Sequence, residues 1–282
     1  MGQPLDWMLT RGRGKQSVRR ALRNRLAVTT ILAVAPFLSY GRQAYAACEP
    51  AAAPLTHLCS GTDGGQLFLS VDNANFATAG NPPYVVTESG LGIIGRGNQR
   101  FTDNFASTSI TNSTYYGRGL SVVSTGDIEE TPGAVTITTN GTISGTAHGI
   151  YARNEGSGDI TITANGSVTG TDYGGDTYVD NDGIYAKNSG ANLTVTTGIG
   201  SAITGEHNGI DARNYGSGDL TITTNGDVTG DKYDAIYAVN SGGALSVTVN
   251  AQSAVKGFGY GIGAFNNGSG DQGRRFGHQR GL

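Results

Sequence analysis

Between Gly119 and Asn266 the apolar and polar side chains alternate in runs of five or so residues, each bounded by Gly, Asn or Ser. A two-residue period puts alternate side chains on opposite faces of an extended chain, so these runs predict short strands rather than helices. The strands recur in copies. GIYARNEGSGDITITANGSVTG begins at Gly149, GIYAKNSGANLTVTTGIGSAITG at Gly183, GIDARNYGSGDLTITTNGDVTG at Gly209, AIYAVNSGGALSVTVNAQSAVKG at Ala235 and GIGAFNNGSGD at Gly261. The starts lie 34, 26, 26 and 26 residues apart, and a looser copy starts thirty residues earlier at Gly119. GQLFLSV at Gly65 and GLGIIG at Gly90 read as irregular entry strands.

Aligned on their starts, the copies form columns. Ile150, Ile184, Ile210, Ile236 and Ile262 share a strand face with Ala152, Ala186, Ala212, Ala238 and Ala264 and with Asn154, Asn188, Asn214, Asn240 and Asn266. That face is expected to point inward, with Ile and Ala filling a narrow core and the Asn column forming a ladder of amide hydrogen bonds that also satisfies turn backbone. Tyr151, Tyr185, Asp211, Tyr237 and Gly263 then face outward. A second strand places Ile160/Ile162, Leu193/Val195, Leu220/Ile222 and Leu245/Val247/Val249 inward and mostly Thr outward, and a third, very short strand carries Val168, Ile203, Val228 and Val255. Asn140-Gly141, Asn165-Gly166 and Asn225-Gly226 are predicted corners where a positive φ is accepted. Three strands per 26 residues predict an all-β, right-handed parallel β-helix, because no single coil can bury its own apolar stripe and stacking the copies does so.

Composition agrees with this. Gly is 46 of 282 residues without a collagen period, and charged side chains are only 15%. The net charge of −3 conceals an asymmetry: residues 1–46 hold eight Lys and Arg and one acid, which leaves 11 basic (19 − 8) and 21 acidic (22 − 1) side chains from Ala47 onward. A chain of that sign is a poor partner for nucleic acid.

The basic N-terminal stretch runs into Leu26–Tyr40, fifteen uncharged residues that are too few for a comfortable membrane span. They fit the apolar region of a signal peptide, with Ala44-Tyr45-Ala46 as a small-x-small cleavage site before Ala47, so the chain is expected to cross the inner membrane. Cys48 and Cys59, the only cysteines, would then meet an oxidising compartment and close a local disulfide. The expected segments are a signal peptide (1–46), a disulfide-bearing cap with irregular first coils (47–118), regular β-helix repeats (119–271) and an aberrant basic tail (272–282).

The long basic signal, the ACEPAAAPLTHLCSG start and the GIYA-x-N, L-T-I-T-x-N-G and V-T-G columns together resemble the passenger domains of Gram-negative autotransporters, the type V secretion proteins. The resemblance covers most of the chain. It implies a surface-displayed or secreted β-helix carried across the outer membrane by a C-terminal β-barrel of the same polypeptide, with localisation at the cell surface, outside the cell or, without the barrel, in the periplasm. Many ten-residue strands make such a barrel. Here GSGD at Gly268 is followed by QGRRFGHQRGL where an LTITTNG-like strand is due, which reads as a frameshift, a premature end or a gene fragment.

Candidate chemistry is sparse. His57, His148, His207 and His278 have no metal-ligand spacing, and His148 and His207, one and two residues before coil starts, read as exposed turn residues. No metal or cofactor is expected. The eight-residue expansion TDYGGDTYVDNDG clusters Asp172, Asp176, Asp180 and Asp182 with Tyr173 and Tyr178. A solvated acidic loop is the reading preferred there, ahead of a Ca²⁺ site or an acid/base pair for polysaccharide cleavage. The outward Tyr151, Tyr185 and Tyr237 are the other candidates, for contact with a glycan or a host-surface or matrix protein. The expected function is therefore a non-enzymatic, adhesin-like surface structure. A secreted carbohydrate-binding or polysaccharide-cleaving β-helix and a non-functional truncated product are the alternatives.

Overall fold

The computed structural model describes residues 47–51, 56–63, 67–172 and 180–268. The expected signal peptide with Ala44 and Ala46, the expected basic tail, and Tyr173, Asp176 and Tyr178 of the acidic insert lie outside them. The described residues contain strands and no helix, arranged as three sheets of nine, eight and eight strands. Every pairing between successive coils is parallel, and the architecture is a parallel β-helix.

The first sheet is built from the Ile-x-Ala-x-Asn strands. Its members start at Leu67, Leu91, Leu120, Ile150, Ile184, Ile210, Ile236 and Ile262. Each start sits opposite the next in register, although the intervening chain is 24, 29, 30, 34, 26, 26 and 26 residues long. Length variation is thus absorbed in the turns and never in the strands. Leu67–Ser70 and Leu91–Gly95 are complete members of this sheet, not irregular entries. The second sheet stacks the Thr-rich strands, with Ile160, Leu193, Leu220 and Leu245 in register and Thr161, Thr194 and Thr221 on the opposite face. In the third, Val168, Ile203, Val228 and Val255 are in register.

The core is the set of inward columns stacked on themselves. Ile150, Ile184, Ile210 and Ile236, the Ala column from Ala152 to Ala238, and Val135 to Leu220 of the second sheet are completely buried. β-branched side chains on a pleated surface interdigitate at the strand spacing, so each coil's stripe is covered only by its neighbours. The last coil shows the converse: Leu245 and Val247 are half-buried and Val249, expected inward, is 38% exposed, because Leu245–Val249 is the edge strand of its sheet among the described residues.

At the other edge the chain folds back. Ala47–Ala51 pairs antiparallel with Thr56–Ser60, the first parallel strand of the second sheet, and the facing Cys48 and Cys59 form a disulfide with an S–S distance of 2.06 Å. A reversed, covalently pinned strand covers backbone donors and acceptors that a further coil would otherwise pair with.

The Asn-Gly corners differ from expectation in their cause. Neither Gly141, Gly166 nor Gly226 has a positive φ. What excludes a side chain is close approach of the neighbouring coil: a Cβ on Gly166 would lie 1.9 Å from the carbonyl oxygen of Gly141.

Candidate functional site

Among the described residues, His148, Tyr151, Asp182, Tyr185, His207 and Tyr237 lie on the outward face of the first sheet or in the turn that enters it. The turn is built by one column. His148, Asp182, Asn208, Asp234 and Tyr260 each precede the first-sheet strand by two residues or so, and each backbone carbonyl from Asp182 onward accepts the N–H of the coil start before it: Gly149 to Asp182, Gly183 to Asn208, Gly209 to Asp234, Ala235 to Tyr260. The side chains form a second set of rungs in the other direction. The N–H of Asp182 donates to His148 Nδ1 (3.4 Å), that of Asn208 to Asp182 Oδ1 (3.0 Å), that of Asp234 to Asn208 Oδ1 (3.1 Å) and that of Tyr260 to Asp234 Oδ1 (2.9 Å). Each coil therefore caps the next with a polar side chain, and buried backbone N–H groups are left with partners.

This column corrects two expectations. His148 is buried rather than an exposed turn residue, and Asp182 is fully buried rather than part of a solvated loop. Asp182 also accepts from Asn208 Nδ2 at 3.0 Å, and His207 Nδ1 lies 3.4 Å from its Oδ1. Its other oxygen, Oδ2, has no hydrogen bond and lies 3.6 Å from His148 Nδ1. Burial pushes the His148 imidazole down to about 4, against the attraction of Asp182. His207 is half-buried. Desolvation opposes its charge, but the hydrogen bond and charge of Asp182, with Asp180 and Asp211 behind, raise its pKa overall.

The described carboxylates of the insert divide between two basic side chains, Asp172 beside Lys232 and Asp180 with Asp182 beside His207. Asp172 lies 3.8 Å from Lys232 Nζ, which pairs with Glu206 at 2.6 Å; the exposed Asp180 lies 3.6 Å from His207 Nε2; Asp182 is a rung. Among the described residues no group of three or more His, Cys, Asp or Glu is arranged to hold a metal ion.

On the sheet face proper, the outward column reads Phe68, Gly92, Ser121, Tyr151, Tyr185, Asp211, Tyr237 and Gly263, each in register with the next. Tyr151 and Tyr185 stack with ring centroids 5.3 Å apart and planes at 10°. Arg118 lies over Tyr151 at 3.5 Å, His148 lies 5.1 Å from Tyr185, and Tyr237 meets Phe265 at 5.6 Å. Burial pushes the Tyr185 phenol up to about 12.

Asp211 was expected to interrupt this column as an outward acid, and it is instead completely buried. Arg213, two residues along the same strand, grips it through Nε (2.8 Å) and Nη2 (2.6 Å) and lies within 5.9 Å of the Tyr185 ring and 5.3 Å of Tyr237. The guanidinium fills the place of the missing ring, so the column runs on as ring, ion pair, ring. Desolvation pushes Asp211 up to about 6 despite Arg213, and the paired carboxylate raises the pKa of Arg213.

On the inner face the Asn column is a ladder from Asn154 to Asn240, and the expected last rung to Asn266 is replaced by bonds of both amides to Gly243 O. Nδ2 of Asn154 donates to Oδ1 of Asn188 (3.0 Å), Asn188 to Asn214 (3.2 Å) and Asn214 to Asn240 (3.1 Å). Each of these amides also bonds its own turn, as Asn188 does through Asn192 O and Gly190 N, and Asn266 bonds Gly268 N and Gly243 O. The rung column was not read from the sequence. Its signal was present in the polar residue before each start, obscured because His, Asp and Asn share no residue type while sharing one acceptor role.

Compared with protein-family models, curated proteins and solved structures, the chain matches none.

Proposed function

We propose that the chain is an exported, non-enzymatic β-helical rod, adhesin-like in use, of the kind displayed by Gram-negative autotransporters. The observation that carries the non-enzymatic half is that the titratable groups of the face serve as architecture. His148 and Asp182 cap backbone N–H groups, and Asp211 is neutralised by Arg213 inside a stack of rings. A general acid or base must reach a reacting proton from an accessible position, and fully buried Asp182 and Asp211 do not offer one. Export is supported by the basic and apolar N-terminal segment together with the Cys48–Cys59 disulfide. The acidic balance from Ala47 onward favours partners other than nucleic acid, namely a host-surface or matrix protein or a glycan.

His207, half-buried between Asp180 and Asp182, is the one constellation that favours a polysaccharide-cleaving alternative. The test is release of reducing or unsaturated ends from acidic and neutral polysaccharides by the mature chain. No turnover is expected. Turnover by the parent that disappears in Asp180→Asn and in His207→Gln would replace the rod reading with the enzymatic one.

A further inference from the structure

The outward column of the first sheet has a gap. Between Phe68 and Tyr151 the in-register residues are Gly92 and Ser121; the Phe68 ring leans over Gly92, where a Cβ would lie 2.6 Å from it, and Ser121 leaves the next position with only a small side chain. Over this gap lies a cavity of about 270 Å³, walled on one side by Phe68 and on the other by residues 114–118. It is sugar-sized rather than drug-sized.

The wall is held in shape from beneath. Asn112, buried, donates through Nδ2 to Ser89 O (2.7 Å) and Arg118 O (3.0 Å) and accepts at Oδ1 from the N–H (3.0 Å) and hydroxyl (2.6 Å) of Thr114. Gly117 packs so closely on that amide that a Cβ would lie 2.1 Å from Oδ1, and Tyr116 takes a φ of 56°. The outcome is two exposed rings, Tyr115 and Tyr116, fixed 4.0 Å apart with their hydroxyls 3.0 Å apart at the cavity mouth. A left-handed Tyr and a buried Asn dedicated to one loop are costs that a plain turn does not need.

The charge of the cavity is equally particular. Its lining contains no Asp, Glu, Lys or His, and one Arg. Arg118 stacks on Tyr151 at 3.5 Å, and among the described residues no carboxylate lies within 4.0 Å of its guanidinium, whereas Arg96, Arg153 and Arg213 each have one. A guanidinium centred over a ring and without a carboxylate partner has N–H groups to offer a planar anion. Aromatic faces beside hydroxyls and a single unpaired cation form a complement to one ligand chemistry: a pyranose whose C–H face lies on a ring and whose carboxylate meets the arginine.

We propose that this cavity is a binding site for an acidic saccharide, with Arg118 taking the carboxylate, Tyr115, Tyr116 and Phe68 the sugar faces, and Ser121 at the floor the sugar hydroxyls. The site is separate from the His207 region and stands whether or not the chain is exported.

The test is calorimetric titration of the chain with three acidic probes, a galacturonate trisaccharide, a mannuronate trisaccharide and sialyllactose, against lactose as the neutral control. At least one acidic probe binds saturably and lactose binds at least about tenfold more weakly. Arg118→Gln weakens the acidic probe by about tenfold and removes its advantage over lactose, and Ser121→Trp, which fills the floor, abolishes binding. Both variants are checked for parental melting temperature, and Ser121→Tyr, the residue type of the next coil, replaces the Trp variant if that one is destabilised. Absence of binding by all three probes, equal binding of lactose, or binding indifferent to both substitutions overturns the proposal.

Discussion

The backbone N–H of Asp182 donates to Nδ1 of His148 across 3.4 Å, so the imidazole serves the fold as a neutral acceptor. Protonating Nδ1 would remove the acceptor and place a charge in a buried turn. With a pKa near 4 when folded and 6.5 as its ordinary value, His148 binds fewer protons in the folded chain than in the unfolded one between those pH values. Stability from this group is complete above pH 6.5 and falls as pH drops toward 4, by at most about 3 kcal/mol. His148→Asn supplies the neutral acceptor used at Asn208, and its melting temperature is expected to fall less between pH 6.5 and 4.5 than that of the parent. Parallel melting curves would refute the assignment.

Asp211 makes a prediction of opposite sign. Its pKa is raised from 3.8 to about 6, so the folded chain binds more protons than the unfolded one in that window, and this contribution weakens as pH rises through it. Arg213→Met leaves the carboxylate buried without a partner and is expected to cost about 3 kcal/mol. The double change Asp211→Tyr with Arg213→Val copies Tyr237 and Val239 of the next coil, which occupy the same register, and is expected to be close to parental in denaturant midpoint.

Much of this was legible before the structure, and the illegible part has a common physical cause. The Ile, Ala and Asn columns are homotypic, and stacking in register makes identity visible as periodicity. Where a column is heterotypic the pattern disappears, although the geometry does not. His148, Asp182, Asn208 and Asp234 share a role but not a residue type, and Asp211 with Arg213 replaces a tyrosine by an ion pair of similar extent. Sequence spacing also assigned the Asn-Gly corners to a backbone angle when the actual constraint, the neighbouring coil's carbonyl, belongs to residues 25 positions away, as Gly141 and Gly166 are.

Asn188 has partners in its own turn and in the coils on both sides, as does Asn214. Asn188→Ala leaves several buried groups unpaired and is expected to cost about 2–4 kcal/mol. Adding Asn214→Ala costs less than the sum of the two single changes, because the shared Asn188–Asn214 bond is counted in both. Strict additivity in urea titrations would mean that the amides act independently.

At the Gly166 corner even a methyl group collides with Gly141 O. Gly166→Ala is expected to destabilise by at least about 2 kcal/mol, whereas Gly200→Ala, which meets nothing within 4 Å but has a φ of 76°, pays only backbone strain of about 1 kcal/mol. Equal effects at both would contradict the close-approach account.

The covalent pin at the first edge is local. Replacing Cys48 and Cys59 by Ser is expected to lower stability by about 2–3 kcal/mol, with hydrogen exchange accelerating first in Thr56–Ser60 and its neighbour Asn75–Thr78. Uniform acceleration through all coils would show that the hairpin holds the whole stack and not its edge.

The most direct test of the central claim, an exported rod, is intact mass spectrometry of the chain produced in a Gram-negative host and recovered from separated cytoplasmic and extracytoplasmic fractions. The account predicts a product outside the inner membrane that begins at Ala47 and is lighter than its reduced form by two hydrogens. A cytoplasmic product that retains Met1 and carries two free thiols would contradict it.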